Sequence, residues 1–408
     1  MKKILVILLL ISLIFAFSLN LVSADDTKNT SRAYELAVDF TTKHPYRKTA
    51  SEEGVKASEY IREFFENLGI ENEVQKFTYN AVVSDNYYYN TVVEKRDDQN
   101  VVGKIKTNKD TADTVVIGAH YDNTFESGTG TGFYDNGSGV GIMLALAEQF
   151  KKEHDEGKIL PFNLTFVAFG AGEYALRGSE HFISKLKGEE INSILLYVNL
   201  DTIAGGDNLY VYSDEVKTMQ EDYFLNIARK SGVKLNPPPA NKGTFYASIS
   251  KLGYAHAGLS SDNVSFMNRD ILSVSFSSFN WTAFVSDVMD ESAVHENVLG
   301  TANDSAKSID EIYGDSAKEK VDGAYTLVYN GLREGGFADY MRRAKRENTD
   351  YSLLTSRYFV PAIGAGFLII VIAVILSLSK NYAKKHPPKK EDSGFSGEER
   401  PHVFEEFD

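Results

Sequence analysis

The chain has 408 residues and no cysteine, and its 57 acidic against 43 basic side chains give a net charge of −14. With 43% hydrophobic residues it can bury the core of one large domain or two smaller ones. The absence of cysteine excludes a disulfide framework and any thiolate metal site. The lack of a basic face argues against a nucleic-acid partner.

In chain order, Met1-Lys2-Lys3 precedes an apolar run from Ile4 to Leu21 and the small-residue ending Val22-Ser23-Ala24. This is the layout of a secretory signal peptide over 1–24. An uncleaved anchor is the alternative, and Ser23-Ala24 favours cleavage. Ser51 to Leu68 places Val55, Tyr60, Ile61, Phe64, Phe65 and Leu68 at helical spacing, which predicts an amphipathic helix. Thr114–Gly118, Leu164–Phe169 and Ile194–Leu200 are short continuous apolar runs, the signature of strands buried on both faces. Helical patterns fall at Val140–Phe150, Arg177–Leu186 and Ser213–Lys230, and Ile271–Phe276 is strand-like. Ser316–Lys345 carries mixed charges and reads as a closing helix.

Tyr358 to Ser379 is apolar and uncharged, long enough to be read as a transmembrane helix. Lys380, Lys384, Lys385, Lys389 and Lys390 follow it, which predicts a cytoplasmic C-terminus. These ends predict a single-pass protein of the cell membrane, with an extracytoplasmic domain over 30–345, a stalk over 346–357, a membrane span over 358–379 and a polar tail over 380–408. Strands alternating with helices predict an α/β domain: a mixed, largely parallel sheet sandwiched between helices. Ligands of such sheets bind at the carboxyl ends of the strands.

Candidate chemical residues collect at those ends. His120 and Asp122 close the first apolar strand, and Asp135 sits in the Gly-rich loop Asp135-Asn136-Gly137-Ser138-Gly139 before a helix. Glu173 follows the second strand, Asp201 the third, and His295 lies beyond Ile271–Phe276. Each alone has a plain explanation: Asp135 as a helix cap, Glu173 as a partner of Arg177, Asp201 as a turn residue. Together they are costly, because carboxylates gathered on one sheet edge repel and lose hydration. Divalent metal removes that penalty.

The segments GAHYDN, YDNGSGV, FVAFGAGEYALRGSEHF and YVNLDTIAGG resemble, in this order, the co-catalytic zinc aminopeptidases of metallopeptidase clan MH, which also contains glutamate carboxypeptidase-like domains. The resemblance runs from about Ala33 to Glu311. It implies two zinc ions at the carboxyl edge of the sheet and a peptide substrate with a free N-terminus. Matched motif by motif, it makes His120 and Asp201 ligands of one zinc, Glu173 a ligand of the other, and Asp135 the bridge. Asp122 would orient the His120 imidazole, and Ser261-Asp262-Asn263 matches the segment before the last strand.

Two positions depart from the pattern. The family run that carries the fifth ligand aligns with Gly300-Thr301-Ala302-Asn303-Asp304-Ser305, so Gly300 stands where a histidine is expected and His295 is the nearest imidazole. The family's A-E-E-x-G-L-x-G-S reads here Ala171-Gly172-Glu173-Tyr174-Ala175-Leu176-Arg177-Gly178-Ser179. Glu173 takes the ligand position, and Gly172 replaces the glutamate that serves as general base. Three functions stay open on this reading: a zinc exopeptidase impaired at Gly172, a non-catalytic binding or scaffold module, and aminoacyl-transfer chemistry of the glutaminyl cyclase kind.

Overall fold

A computed structural model describes residues 26–82, 93–107, 109–213, 218–237, 261–280 and 298–355. The helices are α1 (Asp26–Lys43), α2 (Glu52–Asn67), α3 (Ser138–Asp155), α4 (Arg177–Lys185), α5 (Gly188–Ser193), α6 (Met219–Ser231), α7 (Asn263–Met267), α8 (Ala306–Tyr313), α9 (Asp315–Arg333) and α10 (Phe337–Thr355). The strands are β1 (Glu71–Val82), β2 (Val93–Ile105), β3 (Thr114–His120), β4 (Asn163–Phe169), β5 (Ile194–Leu200), β6 (Asn208–Tyr212) and β7 (Ser273–Phe279). They form one sheet in the order β1-β2-β4-β3-β5-β7-β6.

The centre of the sheet is parallel: β4 with β3, β3 with β5, and β5 with β7. The flanking pairings β1/β2, β2/β4 and β6/β7 are antiparallel. Every residue of β5 is buried, as are all but the first of β3 and β4. Helices therefore have to cover both faces, as continuous apolar strands require. On one face Ile117, Leu164, Val198 and Phe276 pack with residues of α1, α2, α3, α6 and α9. On the other, Val116, Phe169 and Tyr197 pack with Phe182 of α4 and Phe266 of α7, whose ring stacks on Tyr197 at 3.6 Å between centroids.

Local sequence explains the boundaries. Ser51 caps α2 by accepting the Gly54 amide at 3.0 Å, and Ala57, Ile61 and Phe65 form its buried stripe at four-residue spacing. The helix expected over Ser213–Lys230 begins only at Met219. The single closing helix expected over Ser316–Lys345 is two, α9 and α10, interrupted at Gly335-Gly336, where Gly336 has φ +93°. Helix α1, the hairpin pair β1/β2, strand β6 and helix α8 were not anticipated from the sequence.

The single-pass membrane placement, and the transmembrane helix included in the expected fold class, require correction. No helix among the described residues is long and apolar enough to cross a membrane. Helices α9 and α10, of 19 residues each, carry charged side chains through their length, and such charges are costly in hydrocarbon. The stretches 1–24, 358–379 and 380–408 lie outside the described residues.

The core is closely fitted where glycine lets helices meet. A Cβ on Gly141 of α3 would stand 2.5 Å from the Ala33 carbonyl oxygen and 2.6 Å from the Ala37 Cβ, both on α1. Gly141→Leu is therefore expected to destabilise the fold by about 1–3 kcal/mol through overpacking, read as a lower urea midpoint. An unchanged midpoint would show that α1 can yield without cost.

Candidate metal centre

Parallel pairing brings the chemical residues together. His120 is the last residue of β3 and lies level with Phe169, the last of β4. Asp201 directly follows β5, and the loop Gly170–Glu173 directly follows β4. Asp135 arrives from the irregular turn Phe133–Gly137 that leads into α3. The expected ligands thus reach one sheet edge from four separate chain segments.

His120 Nε2 lies 3.2 Å from Asp135 Oδ1 and 3.4 Å from Asp201 Oδ1. Donor atoms of these three residues all fall within 4.8 Å of one another. One imidazole with two carboxylates is a donor set that suits zinc and other hydrolytic divalent ions. Glu173 stands outside this compact group but interacts electrostatically with Asp135, His120, Asp122 and Asp201. His295 lies outside the described residues. Gly300, at the family's histidine position, is exposed in a left-handed turn at φ +65°.

Asp122 is 1% exposed and works in two directions. Its carboxylate stands 3.6 Å from His120 Nδ1, and it accepts the amides of Gly172 at 2.9 Å and Glu173 at 3.2 Å. The Thr49 hydroxyl also donates to it. Asp122 therefore couples the imidazole to the loop that carries Glu173. Gly172 itself is enclosed: a Cβ there would lie 2.4 Å from His120 Cβ and 2.7 Å from its Cγ. The position has neither a proton acceptor nor space for one, and the flanking Ala171 holds a left-handed φ of +52°.

Charge is out of balance at this edge. Burial disfavours a cationic His120, but Asp201, Asp122 and Asp135 outweigh it and raise the imidazole pKa well above its usual value. Burial, followed by repulsion from Asp135, raises the Glu173 carboxyl well above the carboxylate range. Burial is the larger cause; Asp135, Asp122 and Asp201 act in the same direction, and His120 opposes them.

Three further residues belong to the site. Arg47 is fully buried beneath it. Asp304, also fully buried, accepts the amides of Tyr134 at 2.6 Å and Asp135 at 3.3 Å. Asp262 is fully buried as well. Asp262 and Asp304 lay within segments already matched to the family, although no role was assigned to either. Arg47 follows His44-Pro45-Tyr46, and nothing in its neighbours announces burial.

A model of peptidase family M28 matches residues 100–314 of the 408. The chain belongs to peptidase family M28. The alkaline phosphatase isozyme conversion protein of Escherichia coli K12 is 26% identical to it over 277 residues, 61% of this chain and 77% of that protein. Aminopeptidase YwaD of Bacillus subtilis is 36% identical over 106 residues, 26% of this chain and 22% of YwaD, so that match spans about a fifth of its relative. A solved zinc aminopeptidase from Bacillus subtilis superposes with a TM-score of 0.54 at 17% identity, covering 74% of this chain and 94% of that one. This last likeness establishes the fold.

Asp262 gives this site a measurable pH signature. Burial raises its pKa from 3.8 to about 7, with His120 opposing. Between those values the unfolded chain releases a proton that the folded one keeps, so stability falls as pH rises through the window. In chelator-treated protein, Asp262→Asn should remove this slope of roughly 1.4 kcal/mol per pH unit. Parallel stability–pH curves for the two proteins would refute the placement.

Proposed function

We propose that this chain is a zinc-dependent exopeptidase of the aminopeptidase type, slowed by the lack of a general base at position 172. The observation that carries the reading is the meeting of His120, Asp135 and Asp201 within 4.8 Å at the carboxyl edge of an M28 sheet. In this reading His120 and Asp201 hold one zinc, Glu173 helps to hold a second, and Asp135 lies between the two. His295 is the remaining candidate ligand. When bound, zinc polarises a scissile carbonyl and lowers the pKa of water towards neutrality.

The chain's own residues supply the rest. Asp122 fixes the imidazole so that Nε2 faces Asp135 and Asp201. The concentration of carboxylates favours a cationic group, and the free α-amino end of a peptide is such a group. What is absent is a side chain to accept the proton of the attacking water. A positioned base contributes about 10²–10⁴-fold, so the rate should fall short of base-bearing relatives by a factor in that range.

A second reading, a non-catalytic peptidase-like binding module, is favoured by one observation: His120 fills the space beside Gly172. For the same reason Gly172→Glu does not simply supply a base, because its Cβ must first displace His120.

The deciding assay uses the full chain, loaded with zinc and offered aminoacyl substrates. Slow release of N-terminal residues is expected, abolished by chelator and reduced at least about 10²-fold by Asp201→Asn. Wild-type release no greater than that of Asp201→Asn would favour the binding module.

A further inference from the structure

Arg47 is the one arginine among the described residues that is wholly buried. Burial lowers its pKa only to about 10, with Asp304 and then Asp135 opposing, so it remains a cation at neutral pH. A buried guanidinium is expensive unless its donors are all used. Here four of the five donate to backbone carbonyls. Nε donates to Tyr121 O, Nη1 to Thr131 O at 2.6 Å and His44 O at 3.3 Å, and Nη2 to Gly132 O at 2.6 Å.

Three of those carbonyls, all but that of His44, belong to the two stretches that must meet. Tyr121 lies between His120 and Asp122, while Thr131 and Gly132 begin the turn that presents Asp135. One rigid planar group therefore spans both stretches. The turn is gripped from its other side by Asp304, whose backbone oxygen accepts the amides of Thr131 at 2.6 Å and Gly132 at 3.0 Å. The Asp304 carboxylate accepts the next amides along, those of Tyr134 and Asp135. Gly132 is cramped inside this grip: a Cβ there would stand 2.9 Å from Arg47 Nη2 and 2.7 Å from Asn123 Nδ2.

We propose that Arg47 is a positioning residue for the metal centre: its guanidinium sets the spacing between the His120 stretch and the Asp135 turn, and thereby the affinity of the site for zinc. The proposal rests on the zinc reading above. Lysine cannot replace it, since an ammonium group lacks the planar fork that reaches carbonyls on both stretches at once.

The test is zinc affinity of the full chain, measured by competition with a chromophoric chelator, for wild type, Arg47→Lys, Arg47→Met and Leu164→Ala. Leu164 is buried at the start of β4, at the opposite end of that strand from the site, so its variant is destabilised without touching the centre. Arg47→Lys should bind zinc about 10–100-fold more weakly, the usual effect of losing a group that supports ligands. Arg47→Met should be at least as weak, and Leu164→Ala should match wild type. If Arg47→Met does not fold, Arg47→Lys decides alone. Wild-type affinity in Arg47→Lys overturns the proposal while leaving the zinc reading in place. A wild-type chain that binds no zinc removes both.

Discussion

Six carboxyl groups, Asp122, Asp135, Glu173, Asp201, Asp262 and Asp304, crowd the carboxyl end of the sheet's parallel centre, with His120 and Arg47 to oppose them. The protein alone answers the excess by raising the pKa of both His120 and Glu173. A divalent ion would relieve it more completely, allowing Glu173 to ionise and His120 to become a neutral ligand. Two features of the site follow from this constraint: a buried arginine beneath it and an aspartate shared between imidazole and loop.

The fold supplies the geometry for this crowding. Because β3, β4 and β5 run parallel, their carboxyl ends fall together and the residues that follow them become neighbours without any long-range motif. Supporting groups come from elsewhere in the chain. The segment 44–50, between α1 and α2, contributes Arg47 under the Asp135 turn and Thr49 to Asp122. Asp304, just before α8, closes the turn from the opposite side.

The central sheet was readable because β3, β4 and β5 are short unbroken apolar runs, and only burial on both faces makes such runs stable. The hairpin pair β1/β2 was not, because its exposed positions are filled with charge, as in Val93-Glu94-Lys95-Arg96-Asp97-Asp98. That pattern resembles a solvated loop until its partner strand is known. The join between α9 and α10 had a visible signal in Gly335-Gly336 that mixed-charge periodicity obscured. At the site, the strand ends and loops bring donor atoms of His120, Asp135 and Asp201 within 4.8 Å of one another, and Asp122 accepts the amides of Gly172 and Glu173. Arg47 could not be found that way. Its burial depends on carbonyls of residues 44, 121, 131 and 132, and backbone acceptors leave no trace in side-chain sequence.

Gly172 brings bare backbone up to the imidazole of His120. His120 packs against the bare backbone there, so that position and the imidazole are fitted to each other. The most direct test of the account is an anomalous difference map at the zinc edge from crystals of the zinc-loaded full chain. A peak among His120, Asp135 and Asp201 is the predicted result. Ordered side chains at those three residues with no peak between them would contradict it.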